Sequence, residues 1–344
     1  MMILAIETSC DDTCIAIVEI RGRKRPRFKI LTNVVSSQTE VHKKYGGVYP
    51  TLAVREHKKN LPLVLLKVLE KTKNSKINLI AVTKGPGLDP CLWAGINFAK
   101  ELAGNWDLPI VPVNHIESHI LVNFIDEVKN YFPAIALVVS GGHTQLILVK
   151  DPPAGKGKYK IIGETRDDAA GECFDKVARI LGLGYPGGPI IAAEAAKIPN
   201  FKSQIKLPRP MISQKNYDFS FSGLKTAVLY NYKKQKPKIR KSKHYIQEMS
   251  KEIQQAVIDV LIKKTIRAAK EYNVKTIILG GGVSANEELR KQFKSQWKGN
   301  LLIPEKKFST DNAVMTAITG YYNYLQGKIR KPEKIKADAN LRIC

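Results

Sequence analysis

The order of polar turns and glycines in this chain repeats, and the repeat limits the possible folds more than any single motif does. In the middle, Ala134–Val149 reads AIALVVSGGHTQLILV. Two β-like runs flank Ser140-Gly141-Gly142, a pattern that predicts a hairpin with a glycine turn. Near the N-terminus, Ile3–Ile6 and Ile15–Ile20 flank a second polar turn, Glu7–Thr13. The same sequel follows each hairpin. Leu79–Thr83 ends in Gly85-Pro86-Gly87 and enters a helix-like Leu92–Ala103, while Thr276–Leu279 ends in Gly280-Gly281-Gly282 and enters Asn286–Lys298. A short strand closes each series, Ile110–Val113 and Leu301–Pro304. Correspondences in one shared order argue for duplication of a fold unit.

A chain of 344 residues with 44% hydrophobic content holds about two domains with full cores. No apolar run approaches the roughly 18 residues of a membrane span, and MMILAIE enters a strand without a basic leader, so a cytoplasmic protein is expected. The five cysteines, Cys10, Cys14, Cys91, Cys173 and Cys344, form no C-x-x-C pair and read as reduced thiols. Only Cys10, in a polar turn, invites attention for reactivity. The formal charge of +25 is densest at Arg21–Lys29, Lys233–Lys243 and Lys328–Lys336. Such runs suit a polyanion, although a lysine-rich solvated surface gives the same composition.

Further elements follow from periodicity. Lys29–Gln38 reads as a third strand, and Leu52–Lys71 as a helix with Leu61, Val64, Leu65 and Val68 on one face. Lys73–Asn78 is a polar link. Cys173–Leu181 and Ile190–Ala196 are helices separated by GLGYPGGP, and Phe201–Pro210 is a proline-containing link. Lys233–Lys243 reads as a flexible basic loop. A long helix over Tyr245–Tyr272 carries Ile253, Val257, Val260, Leu261 and Ile266, and a last helix runs from Asn312 to Leu325. The last helix is expected to pack back on the first lobe. The whole is α/β in two lobes.

Three places carry chemistry. His115-Ile116-Glu117-Ser118-His119 sets two imidazoles at i and i+4 on one helix face, a spacing that lets both bind one ion. Glu117 is misplaced for the H-E-x-x-H base, which excludes a zinc peptidase of that type. At the matching position of the second half, Asp311 is either the cap of the last helix or a third ligand; the duplication favours the ligand. Ser140, His143 and Thr144 crowd a turn whose unshielded N–H groups suit phosphate. Gly280–Asn286 suits close approach of an adenine or ribose, with Asn286 either an N-cap or a sugar or base contact. Asp175 and Gly188 stand at the second lobe's entrance, Asp175 as a ribose acceptor or a solvated carboxylate.

The motifs IETSCDD (6–12), GPGL (85–88), HIESH (115–119), VSGGHTQ (139–145), DDAAGECFDK (167–176), YPGGP (185–189), DFSFSGLKT (218–226), GGGVSAN (280–286) and TDN (310–312) run in the order of one family. Across nearly its whole length the chain resembles the threonylcarbamoyl transferase family TsaD, once called the O-sialoglycoprotein endopeptidase family. The resemblance implies a duplicated ribonuclease-H-like fold of the actin, Hsp70 and sugar-kinase type with a central cleft. One lobe would comprise 1–114 with 312–344, the other 115–311 with a helical insertion at 165–245. It implies transfer of threonylcarbamoyl from threonylcarbamoyl-AMP to N6 of adenosine 37, in tRNAs reading codons that begin with A, with release of AMP. His115, His119 and Asp311 would hold one divalent metal, iron(II) ahead of zinc. Val138, Val139, Ser140, Gly141, Gly142, Asp175, Gly188 and Asn286 would bind the adenylate, a place that ATP or ADP also fits. Asp11 is implied as the catalytic neighbour.

Val138 and His143 stand where the archaeal and eukaryotic branch has Tyr and Asn. That points to the bacterial branch and to TsaB-like and TsaE-like partners rather than KEOPS subunits, with no membrane. The basic runs at 21–29 and 233–243 would add tRNA contacts. The alternative is an ATP-binding scaffold or a kinase- or chaperone-type ATPase of the same fold, which has no need of His115 and His119.

Overall fold

A computed structural model describes residues 1–22, 25–72, 76–126, 131–151, 158–198 and 203–343. Parts of the basic run at 21–29 and of the links at 73–78 and 201–210, together with Cys344, lie outside the described residues.

Nearly continuous apolar runs on either side of the chain's first turn form β1 (Met2–Glu7) and β2 (Asp12–Arg21), paired antiparallel with Ile3 opposite Val18. β3 (Arg27–Ser37) adds to β2, and α1 (Thr39–Lys43) and α2 (Pro50–Lys71) lead back across the sheet. β4 (Leu79–Gly85) lies parallel to β1, α3 (Asp89–Trp106) returns the chain, and β5 (Ile110–Asn114) runs parallel to β4. α4 (His115–Leu121) starts without a linker, because the Asn114 side chain accepts from the N–H groups of Ile116 and Glu117.

The second half repeats this plan. β6 (Ala134–Val139), β7 (Thr144–Val149) and β8 (Tyr159–Glu164) form an antiparallel meander. After α5 (Ala170–Ile180), α6 (Gly187–Ala196), α7 (Ser222–Lys234), α8 (Pro237–Arg240) and α9 (Lys243–Glu271), β9 (Thr276–Gly280) joins parallel to β6. α10 (Glu287–Gln296), β10 (Asn300–Leu302), α11 (Lys306–Ser309) and α12 (Ala313–Leu325) complete the strands and α-helices among the described residues. The strand orders are β3-β2-β1-β4-β5 and β8-β7-β6-β9-β10, the same topology twice.

Burial explains why both sheets read as nearly continuous apolar runs. α2 and α3 cover one face of the first sheet, with Leu61, Val64 and Val68 meeting Ile6, Ile17 and Ile80. α5, α9 and α10 cover the outer face of the second, through Phe174, Val257 and Leu289. Between the sheets lies a shared core with Ile116 and Ile120 of α4 and Val314 and Ile318 of α12, set against strand residues from both halves. α12 packs against the first sheet as expected; a Cβ on Gly320 would stand 2.5 Å from that of Ala81, so only glycine permits this approach. Among the described residues no helix is long and apolar enough to cross a membrane.

Three departures from the sequence reading have physical causes. β8 is an edge strand with one fully buried residue, so Tyr159–Glu164 lacks the apolar run that marks its neighbours. α7 buries only Leu224 and Val228, a stripe too narrow to stand out. The expected flexible loop at Lys233–Lys243 is instead the end of α7, the short α8 and the start of α9, whose N-cap Ser242 accepts from Tyr245 N–H.

Candidate metal and nucleotide site

Because α4 begins directly at the end of β5, its i and i+4 histidines point the same way, their rings 4.7 Å apart and nearly perpendicular. The equivalent strand end in the other half brings Asp311 to meet them. Asp311 Oδ1 lies 3.5 Å from His115 Nε2 and 3.2 Å from His119 Nε2. The capping role falls one residue later: Asn312 Oδ1 accepts from Met315 N–H at 3.1 Å, which frees the Asp311 carboxylate. One ligand atom from each of the three residues lies within 4.8 Å of the others.

The histidines are oriented from behind. His115 Nδ1 lies 3.2 Å from Glu7 Oε2 and 3.1 Å from Ser9 Oγ, so Nε2 is the nitrogen turned to Asp311. Glu7 is wholly buried and also accepts from Thr83 Oγ1 and Ser9 N–H, both at 2.6 Å. Neither ring nitrogen of buried His119 makes a well-aligned hydrogen bond among the described residues. A compact set of two imidazoles and a carboxylate, with such orphaned nitrogens, fits a divalent cation and leaves coordination positions open.

The three groups are electrostatically coupled, and a cation held between them would take the place of the proton that Glu7 and Asp311 favour on His115. Burial opposes ionisation of Asp311, but the facing His115 and His119 outweigh it and hold the carboxyl below its ordinary value. Burial disfavours the charged form of His115, yet Glu7 and Asp311 raise it to about 9. His119 is lowered, by burial first and by charge on His115 as well, which keeps it neutral.

The cluster opens on a cavity of about 1330 Å³ between the halves. Asp11, His115 and Asp311 line one part of it, and Ser140, Gly141, Gly142 and Asn286 another. Asp175 and Gly188 line the same cavity. Asp175 Oδ1 accepts from Gly187 N–H at 2.6 Å, so one of the two oxygens expected for ribose already holds the start of α6. Burial raises its carboxyl to about 6. Asn286 is an N-cap, accepting from Leu289 N–H, while its amide donates to Gln254 Oε1. Val138 and Val139 are not at the cavity wall; their side chains fill the two cores on either face of β6.

The glycines divide differently from the expectation. A Cβ on Gly280 or Gly281 would strike the backbone of His119 or Val139, at 2.6 and 2.3 Å. The close approach at Gly280 and Gly281 is therefore made by the protein itself, while Gly282 lines the cavity, and among the described residues a Cβ there would meet only Thr310, at 3.8 Å. Gly141 and Gly142 have open space around them, and the turn is fixed by His143 N–H donating to Ser140 Oγ at 3.1 Å. Gly171, which the sequence did not single out, packs its helix start onto that turn, since a Cβ there would be 2.5 Å from Ser140 O. Cys10 is not an activated thiol: burial, then Asp11 and Asp311, push it well above its ordinary value. Burial also raises Asp11.

Two matching sheets around a cleft define the class, the duplicated ribonuclease-H-like, actin-type fold. Component A of (R)-2-hydroxyglutaryl-CoA dehydratase from Acidaminococcus fermentans has the same fold, with a TM-score of 0.54 at 13% identity over 95% of this chain and 99% of that one. HypF of T. kodakarensis superposes with a TM-score of 0.56 at 15% identity, covering 97% of this chain and 48% of that one. The family model described as "TsaD: tRNA N6-adenosine threonylcarbamoyltransferase" matches residues 29–318. Proteins of that name from Thermosipho africanus and Clostridioides difficile are 46% and 43% identical, covering 100% and 99% of this chain and 100% and 98% of theirs. The chain belongs to the TsaD family of transferases.

Proposed function

We propose that this protein transfers a threonylcarbamoyl group from threonylcarbamoyl-AMP to N6 of adenosine 37, in tRNAs reading codons that begin with A, and releases AMP. The observation that carries the reading is one cavity lined by both His115 and Asp311 of the metal-ligand cluster and by the Ser140–Gly142 turn, in a chain of this family. The three ligand residues would hold one divalent ion, iron(II) ahead of zinc, which when bound supplies Lewis-acid polarisation and a template for the acyl oxygens.

The chain's own residues supply the rest. Gly141 and Gly142 expose backbone at the cavity wall, where N–H donors suit the phosphate as its charge grows on departure. ATP or ADP would occupy the same wall, with Gly188 and Asn286 beside the nucleoside. The adenosine amine bonds to the carbamoyl carbon, the bond from that carbon to the phosphate oxygen breaks, and the amine proton passes to a base. Asp11 is the candidate base, because burial raises its carboxyl toward the working pH. The amine's lone pair is delocalised into the ring, so holding it against the acyl carbon supplies much of the rate.

On this reading the lobes divide at 1–114 with 312–344 and at 115–311, the work is cytoplasmic, and TsaB-like and TsaE-like proteins assist. The test is mass spectrometry of tRNA incubated with threonylcarbamoyl-AMP and the protein. Appearance of threonylcarbamoyl on adenosine 37 supports the reading. Consumption of the adenylate by hydrolysis alone, with the partners present, contradicts it.

A further inference from the structure

The stretch between α1 and α2 is a built loop, not a slack one. His42 is wholly buried, hydrogen-bonded through Nε2 to Gln38 Oε1 at 3.1 Å, and its Nδ1 accepts from Tyr49 N–H at 3.2 Å. Tyr45 N–H donates to His42 O at 2.9 Å. These bonds tie the loop to one residue, His42, through its ring and its carbonyl. Its inner edge, Gly46, Gly47 and Val48, lines the cavity that holds Asp311, and Arg179 of the opposite half donates to Gly46 O. Gly46 has φ +65°, and a Cβ there would press on the Arg179 guanidinium.

The outer edge is aromatic. Tyr45 and Tyr49 stack with centroids 5.6 Å apart and planes 29° apart, although they are 56% and 51% exposed. Lys43 and Lys44 precede them, exposed; Lys43 Nζ lies 3.6 Å from Glu40 Oε1, and no carboxylate lies within 43–49 itself. Two adjoining, half-exposed aromatic rings beside the cavity offer a flat ligand a face to stack on. A flat, anion-bearing one matches the rings and the lysines together.

We propose that Tyr45 and Tyr49 form a stacking platform for a nucleobase of the RNA loop, adjacent to the adenosine that enters the cavity. The inference rests on the proposed acceptor. To reach the cavity the adenosine must leave its stack, which uncovers the face of its neighbour. The tyrosine pair replaces that lost stacking and so lowers the cost of extrusion, while the lysines hold backbone phosphate.

The test uses the full-length protein and an anticodon stem-loop RNA carrying 2-aminopurine beside the acceptor adenosine. The parent is expected to bind and quench the probe. The double variant Tyr45→Ala/Tyr49→Ala is expected to bind about tenfold or more weakly without quenching, and the Tyr→Phe pair to retain both. Its salt dependence stays that of the parent, whereas Lys43→Ala/Lys44→Ala flattens the log–log slope by roughly 0.7 per phosphate lost. AMP binding and melting temperature check that the cavity and fold survive. RNA affinity within about twofold of the parent for the double Ala variant overturns the platform. So does a parent that binds without quenching, which leaves the proposed reaction standing. A parent that binds no RNA overturns both.

Discussion

The two halves share a topology and put opposite chemistry at equivalent places. The β1–β2 turn carries Glu7, Asp11 and Asp12, whereas the β6–β7 turn carries Ser140, Gly141, Gly142 and His143. The strand end after β5 offers two imidazoles; the one after β10 offers a carboxylate. The first turn is acidic and unfavourable to phosphate, whereas the second exposes backbone N–H groups suited to it, so on the proposed reading the nucleotide lies against the second. Neither copy holds a full ligand set. The duplication supplied two facing positions, and divergence made them complementary.

Removing a ligand from either half should have the largest effect. His119→Ala and Asp311→Asn are each expected to lower threonylcarbamoylation of tRNA by at least about a hundredfold, measured by nucleoside mass spectrometry. A large loss for one and a small loss for the other would break the symmetry of the comparison. Glu7→Gln tests the support behind the first half's ligand. It removes the charge facing His115 Nδ1 and should weaken metal affinity about 10- to 100-fold, read by competition with a chelator.

Gly171→Ala tests the second turn. Its methyl would meet the backbone of Ser140 and Gly141, so stability should fall by about 1–3 kcal/mol in denaturant unfolding and adenylate affinity should fall with it. Adenylate affinity should hold in Gly320→Ala, which strains α12 against β4 instead.

The last effect concerns pH and touches stability alone. Burial, then Asp11, raises Asp12 to about 7 from its ordinary 3.8, and its Oδ1 is buried without a hydrogen-bond partner among the described residues. A carboxyl raised on folding contributes stability fully below pH 4, and that contribution is lost as pH rises through 7. Asp12→Asn should therefore be more stable than the parent at pH 8, by on the order of 2 kcal/mol given partial exposure, and no more stable at pH 4. Paired urea titrations at the two pH values check the sign.

Both hairpins, the α2 stripe and the i, i+4 histidines were legible in the sequence, because each is a local pattern with a fixed period. Glu7 was not. Its role depends on Thr83 and His115, brought to it from β4 and α4, and a buried glutamate at a strand end has no local mark. The packing role of Gly280 and Gly281 after β9 has no local mark either. Whether a bare backbone admits a ligand or a neighbouring strand depends on what the fold sets opposite, here Val139 and His119. The choice between cap and ligand for Asp311 turned on which of two adjacent residues faced α12. That is a matter of rotation, and spacing does not record it.

The most direct measurement is the metal content of the purified full-length protein beside that of variants from each half. The expected result is one iron or zinc per chain in the parent, and loss of the ion in both His119→Ala and Asp311→Asn while each stays folded. A full equivalent of metal retained by either variant would contradict an ion gripped jointly by the two copies.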